Sequence, residues 1–352
     1  MKTLGYAAHS EKDELKPFHF ERRELRDNDV SIEILYSGVC HSDLHSARND
    51  WGGANYPIVP GHEIVGKVIE VGSKVKKYKV GDTVAVGCMV DSCQNCDQCH
   101  NHEEQFCRSG MTATYNSPDR ITGDITYGGY SKHIVVREEF VLSVPDKLDI
   151  SKAAPILCAG ITTYTPLKLW NVKEGTRVGV IGLGGLGHMA IKLAAAMGAD
   201  VTAISRTKDK EETAKSLGAK GLLASSDEKE MQQHANAFDV IINTVPVKHD
   251  VTPYVPLLDV DGTLVMVGQV GPLNEITTVP MIFGRRRIAG SLIGGIESTQ
   301  EVLDFCAEHN ILPECEMIKM EDINNAWDRL AKGDIPHRFV IDMTAFKMEE
   351  AS

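Results

Sequence analysis

Arg177-Val-Gly-Val-Ile-Gly-Leu-Gly-Gly-Leu-Gly-His-Met-Ala-Ile-Lys-Leu-Ala-Ala-Ala-Met197 decides the fold. Its first five residues form a short apolar strand. The turn Gly182-x-Gly184-x-x-Gly187 follows, and a helix pattern then runs to Gly198. Glycines here permit a tight turn and the close approach of a pyrophosphate, whose charge rests on the helix N-terminus. A Gly-rich turn can also serve packing alone, so the strand–turn–helix context carries the reading. A second strand is predicted at Asp200-Val-Thr-Ala-Ile-Ser205, then a charged helix from Lys208 to Leu217 closed by Gly218. Asp239-Val-Ile-Ile-Asn243 and Gly262-Thr-Leu-Val-Met-Val-Gly268 read as later buried strands. Alternating strands and helices predict a doubly wound parallel sheet, hence an α/β fold.

The end of the second strand bears on the cofactor. An NAD-binding unit places Asp or Glu about 20 residues beyond the glycines, to hold the ribose hydroxyls. This chain has Ser205-Arg-Thr-Lys-Asp-Lys210 instead. A carboxylate would repel a 2′-phosphate, whereas Ser205, Arg206 and Lys210 can bind one. NADP is the expected cofactor. The plainer alternative is a solvated basic turn.

Residues 1 to about 152 are predicted to be β-rich. Val30-Ser-Ile-Glu-Ile34 alternates apolar and polar residues. Ile64 to Gly72 and Thr83 to Gly87 are further strands, with turn residues at Gly72-Ser73 and Gly81-Asp82. Short strands with Gly-rich turns suggest a compact barrel-like domain. Beyond Gly294, Ser298 to His309 reads as an amphipathic helix and Arg338-Phe-Val-Ile-Asp342 as a strand. Pattern alone leaves two places for this tail: extending the parallel sheet or rejoining the first domain.

A chain of 352 residues fits two domains at roughly 100–200 residues each. Its net charge of −12 makes it a poor partner for a phosphate backbone, so a nucleic-acid role is not expected. Charge arrives early in Met1-Lys-Thr-Leu-Gly-Tyr-Ala-Ala-His-Ser-Glu-Lys-Asp13, and no uncharged run reaches the roughly 18 residues of a membrane span. A cytoplasmic protein without a membrane partner is expected.

The nine cysteines are odd in number, which argues against a disulfide framework. Four crowd into Cys93-x2-Cys96-x2-Cys99-x7-Cys107, separated by polar residues. Four thiolates on one loop match the closed tetrahedral set of structural zinc. Cys40, in Cys40-His-Ser-Asp-Leu-His45, and His62, in Gly61-His62-Glu63, are further candidate ligands near strand ends. Cys158 offers a third. A Cys2His set leaves one position open, as catalytic zinc requires, but spacing does not show that these residues meet. Cys88, Cys306 and Cys315 read as inert thiols on this basis.

With these motifs together, the sequence resembles the zinc-dependent medium-chain alcohol dehydrogenases, most closely the NADP-linked cinnamyl alcohol dehydrogenase type. The residues carrying the likeness are Gly38 to His45, Tyr56-Pro-Ile-Val-Pro-Gly-His-Glu63, the four-cysteine loop, Leu157-Cys-Ala-Gly-Ile-Thr162, Gly182 to His188 and Gly290-Ser-Leu-Ile-Gly-Gly295. The resemblance implies a GroES-like catalytic domain over 1–152, completed by 294–352, and a Rossmann NADP-binding domain over 153–293. It implies two zinc ions per chain. One would sit on Cys93, Cys96, Cys99 and Cys107. The other would sit on Cys40, His62 and Cys158, with Glu63, water or substrate oxygen fourth. Asp43 would orient His62. Thr162, Gly182, Leu183, Gly184, Gly185, Leu186, Gly187, Thr244, Gly268, Ser291 and Ile293 would line the cofactor site, and Arg338 would approach the pyrophosphate.

The same resemblance implies a substrate cleft of Trp51, Cys88, Thr112 and Leu292. Plant lignin enzymes carry Trp at the position of Thr112, Phe at that of Leu292 and a smaller aliphatic residue at that of Trp51, so the cleft here is apolar but reshaped. The implied activity is interconversion of primary alcohols and aldehydes, aromatic or cinnamyl-type among them, mainly as aldehyde reduction. Ser42, which also touches the cofactor ribose, and His45 would relay the proton; a hydroxyl suits this because it both donates and accepts. A homodimer through the sheet domain is implied as well. Two other readings compete with this one. A zinc-free quinone reductase of the same fold would lack Cys40, His62 and the cysteine loop. A non-enzymatic zinc module contacting nucleic acid is opposed by the charge and the glycine turn.

Overall fold

The computed structural model describes residues 1–273, 275–333 and 338–346. The chain forms two compact units, Met1–Cys158 with the chain from Gly294 onward, and Ala159–Ile293. The division falls after Cys158 instead of after residue 152. The reason is packing: the turn Ala154–Leu157 is buried and rests on strands Asp29–Val39, Ile64–Val71 and Thr83–Val86 of the first unit. Of the segment 294–352, residues 334–337 and 347–352 lie outside the described residues.

In the first unit, Asp29–Val39 is the central strand. Val30, Ile32 and Ile34 alternate into the core and are almost fully buried. The strand order is Cys315–Ile318, Arg338–Asp342, Asp29–Val39, Ile64–Val71, Thr83–Val86, Leu142–Ser143, and His133–Arg137 also pairs with Asp29–Val39. The late strand Arg338–Asp342 lies antiparallel to Asp29–Val39, with Phe339 opposite Val39 and Asp342 opposite Tyr36. The tail therefore rejoins the first sheet. The predicted amphipathic helix spans Ile296–Glu308 and buries Thr299, Val302, Leu303 and Cys306.

The second unit is a six-stranded sheet in which every pair is parallel. Its order is Gly221–Ala224, Asp200–Ser205, Arg177–Ile181, Phe238–Asn243, Leu258–Met266, Arg287–Gly290. Numbered by their sequence within the unit, the strands lie 3-2-1-4-5-6, the dinucleotide-binding arrangement. The strands are short apolar runs because helices cover both faces of such a sheet. Helix Gly185–Ala196 buries Met189, Ala190, Ile191, Leu193 and Ala194 against strands Arg177–Ile181 and Asp200–Ser205 and helix Ala159–Leu169. A Cβ at Gly187 would lie 2.0 Å from the Gly182 carbonyl oxygen, so only glycine lets this helix start against the turn.

Candidate active site and metal centres

Cys40 ends the central strand and caps the short helix His41–Ala47. Asp43, three residues on, folds back so that its Oδ2 accepts the Cys40 N–H at 3.0 Å. Its Oδ1 accepts from the Gly61 N–H at 3.0 Å and from His62 Nδ1 at 2.9 Å. The Tyr130 hydroxyl donates to Oδ2 at 3.1 Å. The carboxylate is wholly buried, and these four donors offset its lost hydration. With Nδ1 donating to Asp43, His62 keeps the lone pair on Nε2 for a ligand.

Cys158, after the buried turn Ala154–Leu157, completes the set. One ligand atom from each of Cys40, His62, Glu63 and Cys158 lies within 4.8 Å of the others, and all four residues are buried. The Cys40 and Cys158 sulfurs are 3.9 Å apart. Two zinc–sulfur bonds of about 2.3 Å at a tetrahedral angle give about 3.8 Å, so the set fits that ion. The hydrogen bond from Cys158 holds Cys40 well below the ordinary thiol range, and Cys158 moves the other way. Burial would depress His62, but the Asp43 charge overrides it and raises the imidazole well above its usual value. Burial pushes the Glu63 carboxyl up to about 7, against the pull of Arg338.

Arg338 has a partner inside the first unit. It is buried and ion-paired with Glu63 Oε1, because the strand that carries it lies beside Asp29–Val39 within the first unit. Glu63 Oε2 is buried without a partner among the described residues, an oxygen available to a cation.

Cys93, Cys96, Cys99 and Cys107 likewise bring their sulfurs within 4.8 Å of one another. Cys93 and Cys96 lie 3.9 Å and 3.5 Å from Cys99. Backbone N–H groups of Cys93 and Arg108 point at the sulfurs of Cys107 and Cys96, each at 3.3 Å. Such bonds favour thiolate, and the one from Arg108 leads in drawing Cys96 down to about 6. Four protein sulfurs close this second set, which suits a structural ion.

Ser42 Oγ stands 3.6 Å from the Cys40 sulfur, beside the first set. His45 Nδ1 is 2.7 Å from Asp50 Oδ2, and its ring centroid lies 5.2 Å from that of Trp51. Asp50 was not singled out in the sequence; its place five residues after His45 becomes meaningful only once the helix end turns back. Tyr115 was also missed. Its hydroxyl donates to the Ser42 carbonyl and lies in hydrogen-bond contact with the Ser46 hydroxyl, both at 3.2 Å, and its ring tilts against His62. Cys88 reaches the Leu157 carbonyl at 3.5 Å, next to Cys158. Thr112 is buried and lines a cavity with Arg23, Asp91 and Arg137. Strand alternation turns the neighbouring Ala113 to the opposite face.

In the second unit, helix Gly185–Ala196 begins at Gly184, where an added Cβ would meet nothing within 4 Å. The helix start is open to an anion. Leu183 and Gly187 are buried, while Gly185 and Leu186 are half-buried. The Thr244 hydroxyl donates to the Ile181 carbonyl at 2.7 Å, so it meets a ligand only as an acceptor. Thr162 is buried, Gly268 backs onto Val245, the Ser291 N–H donates to the Met266 carbonyl, and Leu292 is exposed beside Ile293. Ser205 ends its strand; Arg206 and Lys210 are exposed without ion-pair partners among the described residues. Lys208 is instead spent on Glu230 and the Leu222 carbonyl, and Asp209 on Thr207. The basic end of this strand fits a 2′-phosphate.

Residues 26–146 match the alcohol dehydrogenase GroES-like domain family, and residues 185–308 match the zinc-binding dehydrogenase family. The chain is 53% identical to a probable formaldehyde dehydrogenase of Bacillus subtilis, over 92% of this chain and 93% of that one. It is 50% identical to NADP-dependent alcohol dehydrogenase C 1 of Mycolicibacterium smegmatis, over 99% and 100%. The solved structure of a cinnamyl alcohol dehydrogenase from Sorghum bicolor matches over 100% of both chains, with a TM-score of 0.95 at 42% identity. The chain belongs to the zinc-dependent medium-chain alcohol dehydrogenases. Within that family it is of the cinnamyl alcohol dehydrogenase type.

Proposed function

We propose that the protein interconverts primary alcohols and aldehydes with NADP(H), working mainly as an aldehyde reductase, with aromatic and cinnamyl-type aldehydes among its substrates. The observation that carries this is the buried Cys40–His62–Cys158 set with Asp43 behind it. Cys40, His62 and Cys158 would hold a zinc that supplies Lewis acidity toward a carbonyl oxygen, and the Gly182–Gly187 turn would hold an NADPH that supplies hydride. The protein's own groups do the rest. Asp43 fixes the His62 ring, and Glu63 remains in reach as a fourth donor. Ser42 delivers the proton that the product alcohol requires, and His45, steadied by Asp50, exchanges it with solvent. Ser205, Arg206 and Lys210 grip the 2′-phosphate. Cys93, Cys96, Cys99 and Cys107 hold a second zinc that braces their lobe. Trp51 and Cys88 supply apolar surface to the substrate.

The relatives share a reaction class in their names and differ in substrate. The test is therefore a panel of aliphatic and aromatic aldehydes ranked by kcat/KM with NADPH, beside metal analysis. Aldehyde-dependent NADPH oxidation that chelation abolishes is expected. Fewer than two zinc ions per chain in freshly purified, unchelated protein would sink the reading.

The assembly is a homodimer through the sheet unit. Support comes from Val279, Ile282 and Phe283, which are exposed beside the edge strand Arg287–Gly290. An apolar patch at a sheet edge marks a contact surface. No helix among the described residues is long and apolar enough to cross a membrane. Nine free thiols suit a reducing, cytoplasmic setting.

A further inference from the structure

Tyr130 is fully buried, and its hydroxyl donates to Asp43 Oδ2 at 3.1 Å although it lies 87 residues away in sequence. The segment that carries it is laid directly on the backbone before His62. Gly128 N–H donates to Val59 at 2.7 Å, Gly129 N–H to Gly61 at 2.8 Å and Tyr130 N–H to Pro60 at 2.9 Å. A Cβ at Gly128 would come within 2.3 Å of the Gly61 carbonyl oxygen, so only glycine permits this approach. Arg22 staples the segment from outside. Its guanidinium donates to the carbonyls of Tyr127, Gly128 and His133 and to Ser131 Oγ.

We infer that Tyr130 is a positioning residue for the catalytic zinc, holding Asp43 so that Asp43 can hold His62. A carboxylate can turn about its Cβ–Cγ bond, and Oδ1, which accepts the His62 Nδ1–H hydrogen bond, turns with it. Tyr130 and the Cys40 N–H together fix Oδ2 and remove that freedom. Burial keeps the phenol protonated, so it serves here as a donor. Groups that orient metal ligands typically set metal affinity by about 10–100-fold when mutated; a group one step further out acts at the lower end of that range.

The inference rests on the zinc reading of Cys40, His62 and Cys158, and one experiment separates the two. Zinc release from the native holoenzyme into a chromogenic chelator is followed for the wild type, Tyr130→Phe and Trp327→Phe. Trp327 packs its ring near Tyr130, with centroids 6.3 Å apart, and its buried indole N–H makes no hydrogen bond among the described residues, so replacing it by Phe keeps an aromatic ring there and reports on packing around the tyrosine. Tyr130→Phe keeps the ring and should fold. It should release one zinc on the order of tenfold faster, leave the other unchanged, and lower kcat more than it raises KM. Trp327→Phe should release both as the wild type does. A wild type that lacks a second zinc would overturn the metal reading and this inference with it. A two-zinc wild type with unchanged release in Tyr130→Phe, or equal acceleration in both variants, would overturn this inference alone.

Discussion

Ser205 sits where an acid would select NAD. Ser205 is half-buried at the strand end, while the planar fork of Arg206 and the point charge of Lys210 are exposed, a set of donors suited to a dianion. Charge-assisted hydrogen bonds are each worth roughly 1.5–3 kcal/mol, less when screened. Two or three of them should yield a preference for NADPH over NADH of about a hundredfold or more in kcat/KM. Ser205→Asp should reverse it, because the new carboxylate repels the phosphate and accepts from a free ribose. Equal kcat/KM for both cofactors in the unmodified enzyme would show an ordinary solvated turn. Ser42 is the other residue on which a single atom matters. Ser42→Ala should lower turnover by about 10²–10⁴-fold, the usual contribution of a proton-transfer group, with zinc content unchanged. Full activity in that variant would remove Ser42 from the relay. At this scale the sequence was generous with ligands and poor with their supports. Cys40 and His62 stood out because their chemistry is rare. Tyr130 and Tyr115 did not, because a buried tyrosine looks like core until its hydroxyl is seen to meet Asp43 or Ser42.

Helices and strands follow local pattern where burial alternates cleanly. The strands Arg177–Ile181, Asp200–Ser205 and Arg338–Asp342 fall where the apolar runs predict. Helix Ala159–Leu169 was not foreseen, since it is buried nearly all round and so has no polar face to mark its period. The cysteine loop has little apolar core of its own, so its ion should supply much of its folding energy. Cys99→Ala should therefore lower Tm and leave the first zinc bound, whereas Cys40→Ala should abolish turnover in a protein that still melts cooperatively. Identical melting of Cys99→Ala and wild type would refute a bracing role. The loop around Asp119 offers a pH test. Burial would raise Asp119, but Arg26 and the N–H groups of Thr122 and Ile121 hold it down at about 2. A depressed carboxylate stabilises fully above its unfolded value of 3.8 and stops doing so as pH falls through about 2. Asp119→Asn should thus cost stability at neutral pH and flatten the fall of Tm between those values. An unchanged Tm profile would show that the pair is neutral.

At the scale of the molecule, the net charge of −12 opposes approach of a polyanion, and the proposed contact with a second copy would fall to apolar surface. Phe283 is 85% exposed. Phe283→Asp should shift a dimer toward monomer in sedimentation, and a wild type that sediments as monomer would remove the dimer from the proposal. The return of the tail to the first sheet was not legible from pattern, because Arg338–Asp342 is equally apolar for either destination; only partners distant in sequence decide it. That return has a consequence for synthesis. The sheet unit is one uninterrupted stretch of chain and can fold while the ribosome is still at work, as units generally do. The first unit has to wait. Its central strand lacks a neighbour, and Glu63 lacks its cation, until Arg338–Asp342 has emerged. A nascent chain stalled before Arg338 would thus hold every candidate ligand of the catalytic ion and the whole sheet unit, while its first sheet still lacked the strand beside Asp29–Val39 and Glu63 its cation.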